Sequence, residues 1–163
     1  MFVVARLKTD DTVAKVMRIV RENMHNSETN YAASKVVVFT NFKDSAQDLV
    51  SKLETALRNL NPSFGVLTYL ASTKKKWRDE VKKNFTDDPG IDFPNAAKSM
   101  VVNDFDWTPE SAEQSEGRIY RINTTHPVRI DYTLAQGIDE KLFGKVQRKR
   151  ELAAIVQQYR KEY

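Results

Sequence analysis

A glutamine, a glycine and two arginines share a spacing that suits polyphosphate chemistry. Gln114, Gly117, Arg118 and Arg121 stand at positions i, i+3, i+4 and i+7, which predicts a common helical face. Arginine keeps its charge and binds phosphate oxygens in a bidentate manner. Placed at a γ-phosphate, an arginine stabilises developing charge and contributes ~10³–10⁵ in rate. The spacing therefore predicts a triphosphate-facing pair; the alternative is an exposed helix with two solvated arginines.

Two segments carry most of the excess positive charge. The net charge is +4 and the sequence pI is about 9.2. Residues 74–83 hold six Lys or Arg and two acids, and residues 137–163 hold seven Lys or Arg and four acids. Local basic patches of this kind favour a polyanionic partner, and nucleic acid is the most plausible one. The alternative is two solvated helix faces.

Alternating apolar runs and amphipathic stretches must position these side chains. Lys35–Thr40 is a β-branched apolar run typical of a strand buried on both faces. Thr108 and Pro109 are suited to begin the helix that carries the arginines. Strands are predicted at 35–40, 64–70, 98–105 and 128–134, and helices at 8–24, 44–60, 73–85, 108–122 and 137–163. In the helix over 73–85, Trp77, Val81 and Phe85 share one apolar face. Strands alternating with helices predict an α/β fold, a parallel sheet with helices on both faces.

Ligands of such sheets bind in loops beyond the carboxyl ends of the strands. Here those loops are 41–43, 71–74, 104–109 and 135–137. We expect three segments in the chain: an N-terminal helix and connector over 1–34, an α/β lobe over 35–136, and a long C-terminal helix over 137–163 packing on the lobe. Residues 8–24 are either a helix that packs on the lobe or part of a connector to another domain.

Composition excludes several classes of protein. A chain of 163 residues is one domain or one lobe of something larger. With no cysteine and two histidines, it has no disulfide framework, no thiolate or histidine-rich metal site and no cysteine nucleophile, so no metal site is predicted. The mean hydropathy of -0.57 argues against a transmembrane span, which needs ~20 apolar residues. The amino terminus lacks the apolar region of a signal peptide. We expect a cytoplasmic, nuclear or nucleoid-associated protein rather than a secreted one.

Five short motifs follow one another in a fixed order. They are Val36–Phe42, then 70–74 with Arg78 and Asn84-Phe85, then Gly90-Ile-Asp-Phe-Pro94, then Asp104-Phe-Asp-Trp-Thr-Pro109, then Gln114-x-x-Gly-Arg-x-x-Arg121. This order resembles the second RecA-like lobe of superfamily 2 helicases, and the Swi/Snf-type DNA translocases most closely. The resemblance extends from about residue 35 to 160, and the arginine motif with Asp-Trp-Thr-Pro before it is its most specific part.

The resemblance implies roles for individual residues. Arg118 and Arg121 would be arginine fingers, while Gln114 and Gly117 would lie on the nucleotide side. Gly90 and Asp92 match the Gly-x-Asp part of the fifth helicase motif, near the nucleotide. The nucleic-acid phosphates would be contacted by Thr40, Asn41, Ser72, Thr73 and Lys74. Trp107 either stacks on a base or, as a large aromatic in a turn, packs under the arginine helix.

The implied function is that of one half of a motor. The chain would be the second lobe of an ATP-dependent DNA translocase or helicase, with double-stranded DNA as partner. The five glycines include no Gly-x-x-x-x-Gly-Lys-Ser/Thr loop. ATP and Mg²⁺ would therefore be held mainly by a first lobe outside this chain, so the full protein would be an ATP hydrolase and this chain alone inactive. The alternative is a stand-alone RecA-like module that binds nucleic acid or protein without catalysis.

The sequence departs from the family pattern in three places. A strand and a Thr-containing loop are missing between the basic helix and Gly90. Thr108 stands where the family has Asn, and Asn123-Thr-Thr replaces the commoner Ile-Gly-Gln after the second arginine. These departures make the match weakest around residue 90 and beyond Arg121.

Overall fold

The computed structural model describes residues 2–25, 35–69, 74–86, 97–104, 108–120, 124 and 126–162. The described residues form five helices and three strands. The helices are α1 (Phe2–His25), α2 (Lys43–Leu60), α3 (Lys75–Thr86), α4 (Pro109–Glu116) and α5 (Ile138–Glu162). The strands are β1 (Val36–Phe39), β2 (Ser99–Val102) and β3 (Arg129–Tyr132). No helix among these residues is both long and apolar enough to cross a membrane.

The three strands form one parallel sheet in the order β1-β2-β3. Val37 lies opposite Met100, and Met100 lies opposite Ile130. The chain between β1 and β2 carries α2 and α3, and the chain between β2 and β3 carries α4. The predicted α/β class with a parallel sheet is confirmed.

Successive residues of the strands contribute to two separate cores, because side chains alternate between the faces of a sheet. On one face, Val101 packs with the apolar sides of α1 and α2. That core comprises Val16, Met17, Ile19, Val20, Leu49, Leu53, Leu57 and Val101. On the other face, Met100 and Val102 pack against Ile119, which is fully buried. The strand that is buried on both faces is β2. The strand β1 is only half-buried, so the prediction that Lys35–Thr40 is buried on both faces is wrong for β1 and describes β2 instead.

Helix α1 packs on the sheet and on α2, as one of the two interpretations of residues 8–24 expects. Its apolar side joins the core shared with α2 and β2. Its polar side runs along β3, where Lys15 Nζ donates to the carbonyl of Tyr132. Further along α1, Glu22 accepts a hydrogen bond from Arg129 Nη1 at 2.8 Å. These contacts between α1 and β3 line the outer edge of β3, where no further strand is found among the described residues.

Three predicted elements differ from the structure. Residues 64–69 have no regular secondary structure, so the strand expected at 64–70 is not found there. Trp77 was expected on the apolar face of its helix together with Val81, but Trp77 is 58% exposed whereas Val81 is buried. Helix α4 ends at Glu116 rather than near 122, because Gly117 interrupts it and the burial of Ile119 draws the chain toward the sheet.

Candidate functional site

The carboxyl ends of β1 and β2 meet at the buried carboxylate of Asp104. It accepts hydrogen bonds from the Thr40 hydroxyl and, at 2.9 Å, from Asn103 Nδ2. Lys8 Nζ lies 3.7 Å from its other oxygen. The exposed side chain of Asn41 lies with its Nδ2 3.5 Å from the Asp104 carbonyl. The structure thus places Thr40 and Asn41 together at the carboxyl ends of the strands. The Thr40 hydroxyl proton is used in the hydrogen bond to Asp104.

Helix α1 adds a buried hydroxyl to this edge. Thr12 is fully buried and donates to Asn103 Oδ1 at 2.7 Å. The hydroxyls of Thr12 and Thr133 are 2.9 Å apart and share a hydrogen bond. Because Asn103 follows β2 and Thr133 follows β3, the single Thr12 side chain ties the ends of two strands to α1.

A lysine–aspartate pair links α1 to the start of α5. Lys8 Nζ donates to Asp139 Oδ2 at 2.6 Å, and the backbone N–H of Ala135 donates to the same oxygen at 3.0 Å. Burial works against the charge on Asp139, but these two hydrogen bonds hold the pKa of Asp139 below its ordinary value. The pair therefore favours the ionised carboxylate and fixes the loop after β3.

The turn after α4 presents Arg118 to solvent. Thr108 caps the helix by accepting from the Ser111 N–H at 3.3 Å, and Pro109 occupies the first turn, both as predicted. After Glu116 the chain continues as a turn in which the Arg118 N–H bonds to the Ser115 carbonyl at 3.1 Å. The Arg118 side chain is exposed and forms no ion pair or hydrogen bond with any residue that the structure describes. An exposed guanidinium without a partner among the described residues is available to an anionic ligand.

Gly117 allows this turn to be tight. A Cβ at this position would lie 3.2 Å from the Glu113 carbonyl oxygen, so a larger residue would press on the backbone of the last helical turn. Gln114, one turn earlier, is exposed on α4. Gln114 and Arg118 therefore both reach solvent, although α4 ends before Arg118 and the predicted single helical face does not extend that far.

Glu116, at the end of α4, is held by two other elements. The Tyr132 hydroxyl of β3 donates to its carboxylate, and Arg150 Nη1 of α5 donates to the same oxygen at 2.9 Å. We call Glu116, Tyr132 and Arg150 the Glu116 triad. Burial, reinforced by Glu116, raises the pKa of Tyr132. Burial opposes the charge of Arg150, yet the hydrogen bond to Glu116 raises its pKa. The tyrosine therefore stays neutral and the arginine charged around the carboxylate.

The basic segment forms α3 and the residue before it. Lys74, Lys75 and Lys76 are all exposed. Arg78 is the half-buried member, and its guanidinium carbon lies 6.0 Å from the centroid of the Tyr69 ring, at the limit of a cation–π contact. The helix therefore presents a row of lysines to solvent while Arg78 and Val81 attach it to the lobe.

Several expected site residues lie outside the described part of the chain. They are Arg121, Gly90, Asp92, Ser72, Thr73 and Trp107. Sequence reasoning gave no role to Glu116 or Tyr132. It considered Arg150 only as a DNA contact or as part of a solvated face, whereas Arg150 is half-buried and paired with Glu116. Asp104 opens one of the five motifs and the loop 104–109, but neither signal indicated that its carboxylate would be buried. In the described ranges, no group of three or more His, Cys, Asp or Glu side chains converges as a metal site would require.

The family model that describes the helicase conserved C-terminal domain matches residues 14–123, which include the second half of α1, the strands β1 and β2, and the turn that carries Arg118. This chain belongs to the helicase C-terminal domain family. The match confirms the sequence-based recognition of a C-terminal helicase lobe. It also starts inside α1, in agreement with the packing of that helix on the sheet.

Two relatives place the lobe among larger proteins. The lymphoid-specific helicase of Homo sapiens is 36% identical over 63 residues, which are 37% of this chain and 7% of that protein. The crystal structure of the C-terminal part of the Fun30 ATPase domain matches the fold with a TM-score of 0.58 and 19% identity, covering 85% of this chain and 45% of that one. This helicase lobe thus spans a minor part of the length of both relatives.

Proposed function

We propose that this chain is the second motor lobe of an ATP-dependent DNA translocase or helicase of the Swi/Snf type. The full protein hydrolyses ATP, and this lobe alone does not. Arg118 and Arg121 act as arginine fingers toward ATP that a first lobe binds. The observation that carries the proposal is Arg118 itself, an exposed guanidinium with no partner in the described part of the chain, on a turn fixed by a capped helix and a buried isoleucine.

The chemistry required of Arg118 is electrostatic. As water attacks the γ-phosphorus in line, negative charge spreads over the transferring phosphoryl group, and a guanidinium that arrives on lobe closure stabilises it. Gln114, Gly117, Gly90 and Asp92 complete the nucleotide side in this proposal. Mg²⁺ would be held mainly by the first lobe together with ATP, and it would neutralise phosphate charge. The side chain of Arg118 fits this task because no internal carboxylate among the described residues competes for it.

The nucleic-acid side of the proposal is the carboxyl edge near β1 together with the loop before α3. Thr40, Asn41, Ser72, Thr73 and Lys74 contact phosphates of double-stranded DNA. Asn41 and Lys74 support this assignment because both are exposed. Since the Thr40 hydroxyl donates to Asp104, Thr40 acts through its backbone N–H or by holding the loop. Contacts of this kind are independent of sequence and sensitive to salt. A nuclear, nucleoid or cytoplasmic location suits such a partner.

The decisive experiment replaces Arg118 by alanine in the full-length protein. DNA-stimulated ATP turnover is expected to fall by ~10³-fold or more, whereas the Kd for DNA changes less than about threefold. Arg148→Ala is the matched control, because it removes an exposed arginine from α5 without touching the turn. Both turnover and DNA binding are measured on the same preparations.

Turnover that survives Arg118→Ala would contradict the role of an arginine finger. If the full-length protein also binds DNA without any ATP turnover, the lobe is instead a non-catalytic nucleic-acid-binding module. The two outcomes separate the enzyme from the binding module with a single pair of assays.

A further inference from the structure

The turn that carries Arg118 is held on both sides. On the amino-terminal side, Glu116 is fixed through its side chain by Tyr132 and Arg150. On the carboxyl-terminal side, Ile119 is fully buried against Met100 and Val102. Only Gly117 and Arg118 lie between these two anchors, so the direction in which Arg118 leaves the lobe depends on both.

We propose that the Glu116 triad positions Arg118 for its approach to the γ-phosphate. The inference rests on the proposed function, and it assigns Glu116, Tyr132 and Arg150 as positioning residues rather than catalytic ones. Tyr132 lies on β3 and Arg150 on α5, so the triad ties the turn after α4 to two other elements of the lobe.

The geometry of Arg150 favours positioning over simple stabilisation. Its Nη1 donates to Glu116, but its Nε and Nη2 are buried without a hydrogen-bond partner among the described residues. A buried donor without a partner is unfavourable for folding. The hydrogen bond that Arg150 does make is the one to Glu116, so its contact with this turn is the hold on that carboxylate.

The expected effect follows from how steeply catalysis depends on placement. A misplacement of about 1 Å of a group that must meet a transition state can cost ~10²-fold in rate. Tyr132→Phe removes only the hydroxyl and keeps the ring, whose centroid lies 5.0 Å from that of Phe143. The packing of the helix on the strand is thereby preserved while one hold on Glu116 is lost.

The test measures how tightly the full-length protein, bound to DNA, holds two nucleotide states. ADP with aluminium fluoride and Mg²⁺ imitates the transferring phosphoryl group, and a non-hydrolysable ATP analogue imitates the ground state. For Tyr132→Phe we expect the affinity for the aluminium fluoride complex to fall by about tenfold or more and the affinity for the ATP analogue by less than about twofold. Tyr120→Phe is the matched control, since that ring is 59% exposed next to the same turn.

A double-mutant cycle with Arg118→Ala separates positioning from structural damage. If the triad acts through Arg118, Tyr132→Phe has no further effect in the Arg118→Ala background. An equal loss in both backgrounds, or a loss no larger than that of Tyr120→Phe, would overturn the inference. Should Tyr132→Phe prove unstable in thermal unfolding, Glu116→Gln, which keeps the side-chain size and removes the charge, takes its place in the same cycle.

The outcomes also keep the two proposals apart. If Arg118→Ala leaves the affinity for the aluminium fluoride complex unchanged, the proposed function itself is wrong. If Arg118→Ala lowers that affinity and Tyr132→Phe does not, the arginine finger stands and only the positioning role is refuted.

Discussion

The polar residues beneath α1 and those at the end of α4 are arranged in opposite ways. Beneath α1, Thr12, Asn103 and Asp104 are buried, and each is hydrogen-bonded to a residue of another element or of the neighbouring position. At the end of α4, Arg118 is exposed and has no partner in the described part of the chain. The first region satisfies its polar groups internally, whereas the second leaves a charge for something outside the lobe.

The contrast shows how the two regions divide stability and function. A buried polar group is costly unless it is paired, so pairing at the sheet edge contributes to the stability and to the uniqueness of the fold. An exposed guanidinium is hydrated and costs the fold little, so it can be kept for a ligand. Removing a paired group should therefore damage the fold, and removing the unpaired arginine should damage only the proposed activity.

The largest expected effect on stability comes from Thr12→Val. This nearly isosteric change removes the Thr12 hydrogen bonds to Asn103 Oδ1 and to the Thr133 hydroxyl. We expect it to lower the free energy of unfolding by about 1–3 kcal/mol. Thr55→Val on the exposed side of α2 is the matched control and should cost less than about 0.5 kcal/mol. Urea unfolding of this chain measures both. The comparison fails if Arg118→Ala destabilises the chain as much as Thr12→Val does.

A smaller effect is expected at Lys74, a second exposed cation without a partner among the described residues. If Lys74 contacts a phosphate, Lys74→Gln in the full-length protein should reduce the slope of log K against log salt by ~1. Lys98 serves as the control because it precedes the amino-terminal end of β2, whereas the proposed interface lies at the carboxyl ends of the strands. Equal slopes for Lys74→Gln and Lys98→Gln would remove Lys74 from the proposed interface.

The smallest effect concerns pH and tests the paired region again. Because the folded-state pKa of Asp139 is held low, its contribution to stability is present above the unfolded value of ~3.9 and is lost as pH falls through the folded value. Asp139→Asn should therefore be less stable than the parent chain near neutral pH, with the difference shrinking as the pH falls below that unfolded value. In a Lys8→Met background the same substitution should show a weaker pH dependence. Unfolding curves across this pH range provide the measurement.

Periodicity predicted the elements better than it predicted their ends. The sequence predicted a helix over 44–60, and α2 is found at Lys43–Leu60 with Ala46, Leu49, Leu53 and Leu57 buried. The end of α4 was misjudged because the arginine spacing continues the helical pattern, while the burial of Ile119 and the glycine before it interrupt the helix. Trp77 was misjudged because helical spacing does not say how closely a helix is packed.

The sequence by itself determined the class of the protein: strand and helix alternation indicated the parallel sheet, and the ordered motifs ending in Gln-x-x-Gly-Arg indicated the helicase lobe. Only the tertiary structure decided which charges are committed inside the lobe and which remain free. The partners of Thr12, Lys8 and Glu116 come from strands and helices far away along the chain. Such pairs form only when the crossover connections bring the carboxyl ends of the strands together, and local spacing carries no information about that meeting.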